Sequence, residues 1–417
     1  MNVPLIKRLT FADSLESPLH QTFWDGALPF LNKLRASHPN IVISYVMLST
    51  PQQRSLCHVP LNGLSIYFNQ DEDSAEDIID INSVVGTSFF PKTLDTLLLY
   101  SDYAMPLDNS TDLSGLTHLT TLFLSNMCHP LNGDRLPRSL TGLELSSNFD
   151  QPVTNLPSAL TDLTVYSSQT SSIVHPPALK YLYQCTTASN LSQHLYHSLT
   201  ELVLGLIGEG DLSHITSDNL PVLKKLTCQG FTMMMNLDPL DLSTLPTSLK
   251  WLNITPNKPI ESVPCGVESL RISFTQSNFQ LPDNLFQQPS SIRKLQLFGY
   301  EHPLRAGEVP ASTKVLKLVT YYQRLDVARV LNPQTGPQLT KLKWEGYEDV
   351  DVHNFLMELP ESLISLELGT KMMNLRRVSN SLFFHTDYIF TRSGFITLDT
   401  VKYMHSPRYC PARYINQ

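Results

Sequence analysis

Side chains that could serve catalysis or bind a metal are few and scattered in this sequence. Of the 13 histidines, His194 and His197 stand at i, i+3 in the stretch SQHLYHS. Such a pair holds a metal only with two further ligands, and none stands nearby in the sequence. The run Asp71–Asp80 (DEDSAEDIID) packs six carboxylates into ten residues. An EF-type calcium loop needs a glycine at its turn. This run has none, so it reads as a solvated insertion, with docking of a basic partner as the alternative. Met233–Met235 offers an adaptable contact patch, although two of the three equally suit a core. No Gly-rich phosphate loop, GxSxG elbow or HExxH motif occurs. The expectation is a chain that is not an enzyme, with no catalytic residue, no metal and no cofactor.

The remaining chemistry is recognition by surfaces, which depends on elements that hold side chains in rows. Internal self-similarity supplies them. Leu136–Val153 reads LPRSLTGLELSSNFDQPV and Leu156–Val165 reads LPSALTDLTV, sharing the frame Pro-x-Ser-Leu-x-x-Leu-x-Leu. Taking the first leucine of the frame as an anchor, anchors fall at 94, 119, 140, 160, 179, 199, 223, 249, 267, 292, 313, 339 and 363. Their mean spacing is about 22 residues. Three residues after every anchor stands a leucine, thirteen in all, from Leu97 to Leu366. Leucine is 67 of 417 residues, so chance does not produce this. Five residues after the anchor the residue is apolar in twelve units, Gln184 being the exception. A proline stands three residues before the anchor in nine units.

Apolar positions separated by one variable residue have a period of two, so each unit contributes one short strand. A unit of this length cannot bury its own apolar face, and stacked units make a parallel sheet over a continuous leucine core. Proline fixes φ and lacks an N–H, which suits the bend entering the strand. The other dozen or so residues return along the opposite side as a loop, a 3₁₀ turn or a short extended run.

With the anchor, +3 and +5 pointing inward, +2 and +4 face outward. On these rows the N-terminal half carries Phe123, Tyr166 (at +6), Tyr181 and Tyr183, beside Glu144, Asp162 and Glu201. Trp251 follows near the middle, then the cations Arg271, Lys294, Lys317, Lys341 and Lys343. Stacked like charges repel, so a basic stripe roughly 15 Å long points to a protein partner with an acidic surface. The aromatic rows are the rival contact surface, since Tyr and Trp dominate interface hot spots.

The chain resembles the leucine-rich-repeat superfamily and, within it, the FNIP-repeat proteins of social amoebae and giant viruses. Leu140, Leu143, Leu145 and Asn148 match L-x-x-L-x-L-x-x-N. The aromatic-Asn-x-Pro-Ile/Leu element is echoed by Phe149–Val153, Tyr103–Leu107, Met127–Leu131, Asn257–Ile260 and Tyr300–Leu304. The resemblance covers roughly residues 90–370 and implies a right-handed solenoid. Its parts are a single curved parallel sheet, mostly irregular or 3₁₀ segments opposite, and terminal caps. It also implies a protein-interaction scaffold or adaptor. The alternative is a substrate-recognition subunit of a ubiquitin ligase, although residues 1–60 show no recognisable F-box.

Three regions are expected. Residues 1–60 form a cap with a helix at Thr22–Ser37, a strand at Ile41–Leu48 and degenerate units. Residues 61–370 form about 13–14 coils with an acidic insertion at 70–80, and residues 371–417 a second cap. A net charge of −8 argues against nucleic-acid binding. No apolar run approaches a membrane span, and no secretory signal opens the chain. Six dispersed cysteines fit reduced thiols. The expected location is the cytoplasm or nucleus.

Overall fold

The computed structural model describes residues 7–13, 19, 21–48, 56–68, 89–101, 112–126, 129–146, 149, 151–166, 173–185, 191, 195–207, 211–230, 239–274, 279–283, 285–286, 290–331, 336–346, 352–369, 373–387 and 393–398. The acidic run Asp71–Asp80, His194, Met233–Met235 and the ladder residue Asn148 lie outside them. Two compact units emerge, Met1–Gly205 and Leu206–Gln417.

In the first unit the elements are β1 (Arg8–Ala12), helix α1 (Gln21–Ser37), β2 (Val42–Met47), β3 (Gly63–Phe68), β4 (Thr96–Ser101), β5 (Thr121–Leu124), β6 (Leu131–Asn132), β7 (Gly142–Leu145), β8 (Val153–Thr154), β9 (Asp162–Val165), β10 (Tyr181–Gln184) and β11 (Glu201–Leu204). The main ladder is parallel throughout, in the order β1-β2-β3-β4-β5-β7-β9-β10-β11. The +3 leucines fall in one register, with Leu97, Leu122, Leu143, Leu163, Leu182 and Leu202 as successive partners.

The second unit contains β12 (Lys225–Cys228), β13 (Leu240–Asp241), β14 (Trp251–Ile254), β15 (Ile260–Ser262), β16 (Ser269–Ser273), β17 (Lys294–Phe298), β18 (Val315–Tyr321), β19 (Lys341–Gly346), β20 (Ser365–Leu368), β21 (Met373–Arg377), β22 (Leu382–Asp387) and β23 (Ser393–Thr397). The order β12-β14-β16-β17-β18-β19-β20 is parallel. From β20 through β21 and β22 to β23 the pairing turns antiparallel, ending the repeat pattern. Leu226, Leu252, Leu270, Leu295, Leu316, Leu342 and Leu366 are again successive partners. All thirteen +3 leucines are 0–2% exposed. Gln184 takes the +5 place in this interior and is buried as well.

The frame's other residues have mechanical roles. Eight of the repeat prolines (91, 137, 157, 176, 246, 264, 310 and 360) accept, through their carbonyls, the N–H of the anchor three residues on, at 2.9–3.3 Å. Each closes one turn that delivers the anchor inward. The carbonyl one residue past an anchor then accepts two N–H groups of the following unit, as Thr120 does from Thr141 and Gly142. Hydroxyls reinforce the step. Ser139 Oγ donates to the Leu119 carbonyl at 2.7 Å, and Ser248 and Ser312 repeat the contact at 2.8 and 2.9 Å. The serine of the repeat frame is therefore a rung tying one coil to the coil before it.

On the return side, β6 pairs with β8 and β13 with β15 in two short parallel ladders. β6, β8 and β15 begin at Leu131, Val153 and Ile260, each directly after the proline of an echo, and β13 begins at Leu240 after Pro239. Leu131 N–H donates to the Pro152 carbonyl at 2.9 Å, and Leu240 N–H to the Pro259 carbonyl at 2.7 Å. Short 3₁₀ turns (Gly133–Arg135, Asp211–His214) and short helices (Val327–Val330, Val352–Glu358) are interspersed.

At the N-terminal end, α1 covers β1 and β2 through edge-to-face packing of Trp24 on Phe11 and Tyr45. Arg35 fastens it by donating to the Pro60 carbonyl at 3.0 Å and to Asn62 Oδ1 at 2.8 Å. No described helix is long and apolar enough to cross a membrane.

Candidate interaction surface

In the first unit the alternation imposed by the leucines puts Phe123, Glu144, Thr164 and Tyr183 side by side on β5, β7, β9 and β10. The neighbouring row is Thr121, Gly142, Asp162 and Tyr181. Two residues beyond the first row lie Tyr67, Tyr100 and Tyr166. Tyr67 stacks on Tyr100 with centroids 4.4 Å apart and planes within 6°. Tyr100 leans on Phe123 at 4.6 Å, and Tyr166 on Tyr183 at 4.6 Å. Phe123, Tyr181 and Tyr183 are half-buried, while Tyr166 is 41% exposed. The rings lean on each other and still offer faces to solvent.

On these rows lies an open pocket of about 400 Å³, with Phe123 and Tyr181 as its aromatic lining. Leu98, Phe123, Gly142, Glu144, Thr164 and Tyr181 contribute to its lining. Gly142 adds no side chain at the centre of the +2 row. Glu144 is half-buried there, and desolvation raises its carboxyl above the ordinary glutamate range. Its charge is felt around it. After desolvation, Glu144 is among the causes raising the phenols of Tyr100, Tyr166 and Tyr181. No lysine or arginine occurs within β3, β4, β5, β7, β9, β10 or β11. Among the described residues no basic side chain pairs with Glu144.

The second unit presents the basic rows, where several of the cations meet acids or a ring of the chain itself. Lys343 Nζ stands 2.6 Å from Glu345 and 2.6 Å from Glu367, and Lys341 lies 3.8 Å from Glu367. Burial pulls the Lys343 ammonium down, but hydrogen bonds to both carboxylates outweigh it and the net shift is upward. The Arg271 guanidinium sits 3.9 Å over the Phe298 ring. Lys294 has Ser269 and Val315 as register partners, so uncharged residues flank it. Lys317 lies in register between Gln296 and Lys343. Desolvation, followed by the fields of Lys294, Lys341 and Lys343, lowers its pKa. Trp251, half-buried on β14, lies in register between Lys225 and Ser269.

Sequence reasoning missed Tyr67, Tyr100 and Phe298, and it missed the acids Glu345 and Glu367. The signal was available, because extending the alternation to +6 selects Tyr67, Tyr100, Phe298 and Glu345. Reading the +4 row one unit further finds Glu367. Of the cysteines, Cys185, Cys228 and Cys265 are free thiols, and burial raises the Cys228 thiol strongly. Among the described residues no three His, Cys, Asp or Glu side chains converge to hold a metal ion. Comparison with known proteins finds no family model that matches the chain and no curated protein with significant sequence similarity to it.

Proposed function

We propose that this chain is a protein-recognition scaffold, a leucine-rich solenoid of the FNIP-like type that binds a protein partner on its open sheet face. One observation carries the reading. The in-register column of buried leucines holds the outward rows fixed, and the first unit's rows gather tyrosine and phenylalanine around a pocket. Half-buried aromatic rings on a rigid face are the hot-spot chemistry of protein interfaces, and they lose little side-chain entropy on binding. The pocket is a concave anchor point on the open sheet face. In this reading the function is non-catalytic, and the partner is a soluble protein rather than nucleic acid or membrane. β1 and β2 join the sheet, with α1 packed against them through Trp24. This favours an extension of the array over an adaptor-docking module of a ubiquitin ligase.

The test is affinity capture with two sets of face variants, each checked for native circular dichroism. Tyr181→Ala with Tyr183→Ala is expected to reduce capture of the partner about tenfold or more. Lys294→Glu, Lys317→Glu and Lys341→Glu together probe the basic rows of the second unit. Capture that survives both sets unchanged overturns the reading.

A further inference from the structure

The second unit shows what the outward rows do when they hold their own cation. Arg271 leaves the +4 row of β16 and crosses diagonally onto Phe298, the +6 residue of β17, with 3.9 Å from guanidinium carbon to ring centroid. Cations over aromatic faces are attracted by the ring quadrupole, and a planar guanidinium also stacks. In the first unit the same diagonal runs from Glu144 on β7 to Tyr166, one residue beyond β9. The aromatic is kept, but a carboxylate stands where the arginine would be. Here the rings and the acid are on the protein, and the cation is absent from the strands.

We propose that the pocket over Glu144 takes an arginine side chain of a basic peptide, its guanidinium paired with the Glu144 carboxylate and lying against the Phe123 and Tyr181 rings of the lining. The proposal rests on the open face being the recognition surface. Charge complementarity commits the occupant, because Glu144 and Asp162 sit on rows that contain no basic residue in this unit. Carboxylate and guanidinium match in geometry, forming two parallel hydrogen bonds. Arginine is preferred to lysine because its plane can stack on a ring while its edge donates to the acid. A volume of about 400 Å³ has room for such a side chain and its neighbours in the peptide. Gly142 provides the opening. A Cβ built there makes only ordinary contacts, with Thr120 O and Thr121 Oγ1 at 3.8 Å, and the glycine itself puts no side chain into the pocket.

The experiment titrates the full chain into a fluorescein-labelled peptide with two arginines spaced by glycine and serine. Lysine and citrulline versions run beside it, followed by anisotropy. Saturable binding of the arginine peptide is expected, with the uncharged citrulline isostere at least about tenfold weaker. Glu144→Gln, which is isosteric, and Gly142→Val, which fills the pocket, should each weaken the arginine peptide by about tenfold. Glu261→Gln, an exposed carboxylate of the second unit, should leave it unchanged and so exclude attraction by the overall negative charge. Equal affinity for arginine and citrulline, equal losses in Glu144→Gln and Glu261→Gln, or no binding of the arginine peptide overturns the assignment. If that happens while Tyr181→Ala with Tyr183→Ala still abolishes partner capture, the open-face reading stands and only the arginine assignment falls. Capture unaffected by any face substitution removes both.

Discussion

Lys343 Nζ lies 2.6 Å from Glu367 Oε1, a strand away, and both side chains are only 18% exposed. The pair anchors a local charge balance, since Glu367 also reaches Lys341 at 3.8 Å and its field opposes the repulsion on Lys317. Removing that carboxylate leaves three lysines stacked on neighbouring strands. Glu367→Gln should therefore cost about 1–3 kcal/mol at low salt, the scale of hydrogen bonds to charged groups. Part of that loss should return at ~1 M salt, where like-charge repulsion is screened. Urea midpoints at the two salt levels check this. A variant as stable as the parent at low salt shows that the lysines do not depend on Glu367.

The leucine column predicts a local penalty. Leu143 is buried between Leu122 and Leu163 in register. Leu143→Ala should lower stability by about 2–5 kcal/mol, the lost transfer energy plus the cavity left behind. Because coils contact only their neighbours, the loosening should be local. Amide hydrogen exchange should accelerate on β5, β7 and β9 well before β16 and β17. Uniform acceleration across both units would contradict a nearest-neighbour stack.

How much was legible differed by residue. Leu143 and Leu270 were legible because a buried strand must repeat with period two, and stacking forces the same offset in every unit. Pro137 was legible as a bend, whereas the Ser139 rung was not, since hydroxyl direction depends on the previous coil's backbone. The helix expected at Thr22–Ser37 forms as Gln21–Ser37, and the strand expected at Ile41–Leu48 as Val42–Met47. Phe123, Tyr181 and Tyr183 were legible from the alternation and stand half-buried on the outward rows, yet the Tyr67–Tyr100–Phe123 run was invisible unit by unit. It exists only across strands, between residues 23 and 33 positions apart. The neutralisation of Lys343 was hidden for the same reason: its two carboxylates belong to the end of its own strand and to the next coil.

Glu144 makes the stability depend on pH with a definite sign. Desolvation raises its folded-state pKa, so the fold disfavours the ionised carboxylate. Below the ordinary glutamate range both folded and unfolded states are protonated and the penalty vanishes. As pH rises through the raised value the penalty develops, so this group makes stability fall with rising pH. Asp112 and Asp241 act oppositely. Ser114 holds the first pKa down and Ser262 the second, and their contributions are lost as pH falls. Comparing Glu144→Gln with the parent isolates Glu144, because both aspartates are common to the two proteins. The variant should gain stability relative to the parent as pH rises through that window. Parallel curves of denaturation midpoint against pH would show that Glu144 is well solvated.

Two glycines on the sheet should respond in opposite directions. Gly346 ends β19 at φ +120°, opposite Tyr321, where the register with β18 shifts. A Cβ there would lie 2.7 Å from the Tyr321 nitrogen and 2.9 Å from its carbonyl carbon. Gly346→Ala must strain the backbone or push two strands apart, and should cost at least about 2 kcal/mol. Gly142 meets its neighbours only at ordinary contact distance and carries no positive φ. A β-branched residue suits a strand and loses less chain entropy on folding than glycine. Gly142→Val should thus be neutral or stabilising by up to about 1 kcal/mol. Thermal unfolding of the two variants decides the matter. A destabilised Gly142→Val would mean that the space above β7 is already needed by the folded chain rather than left open for a ligand.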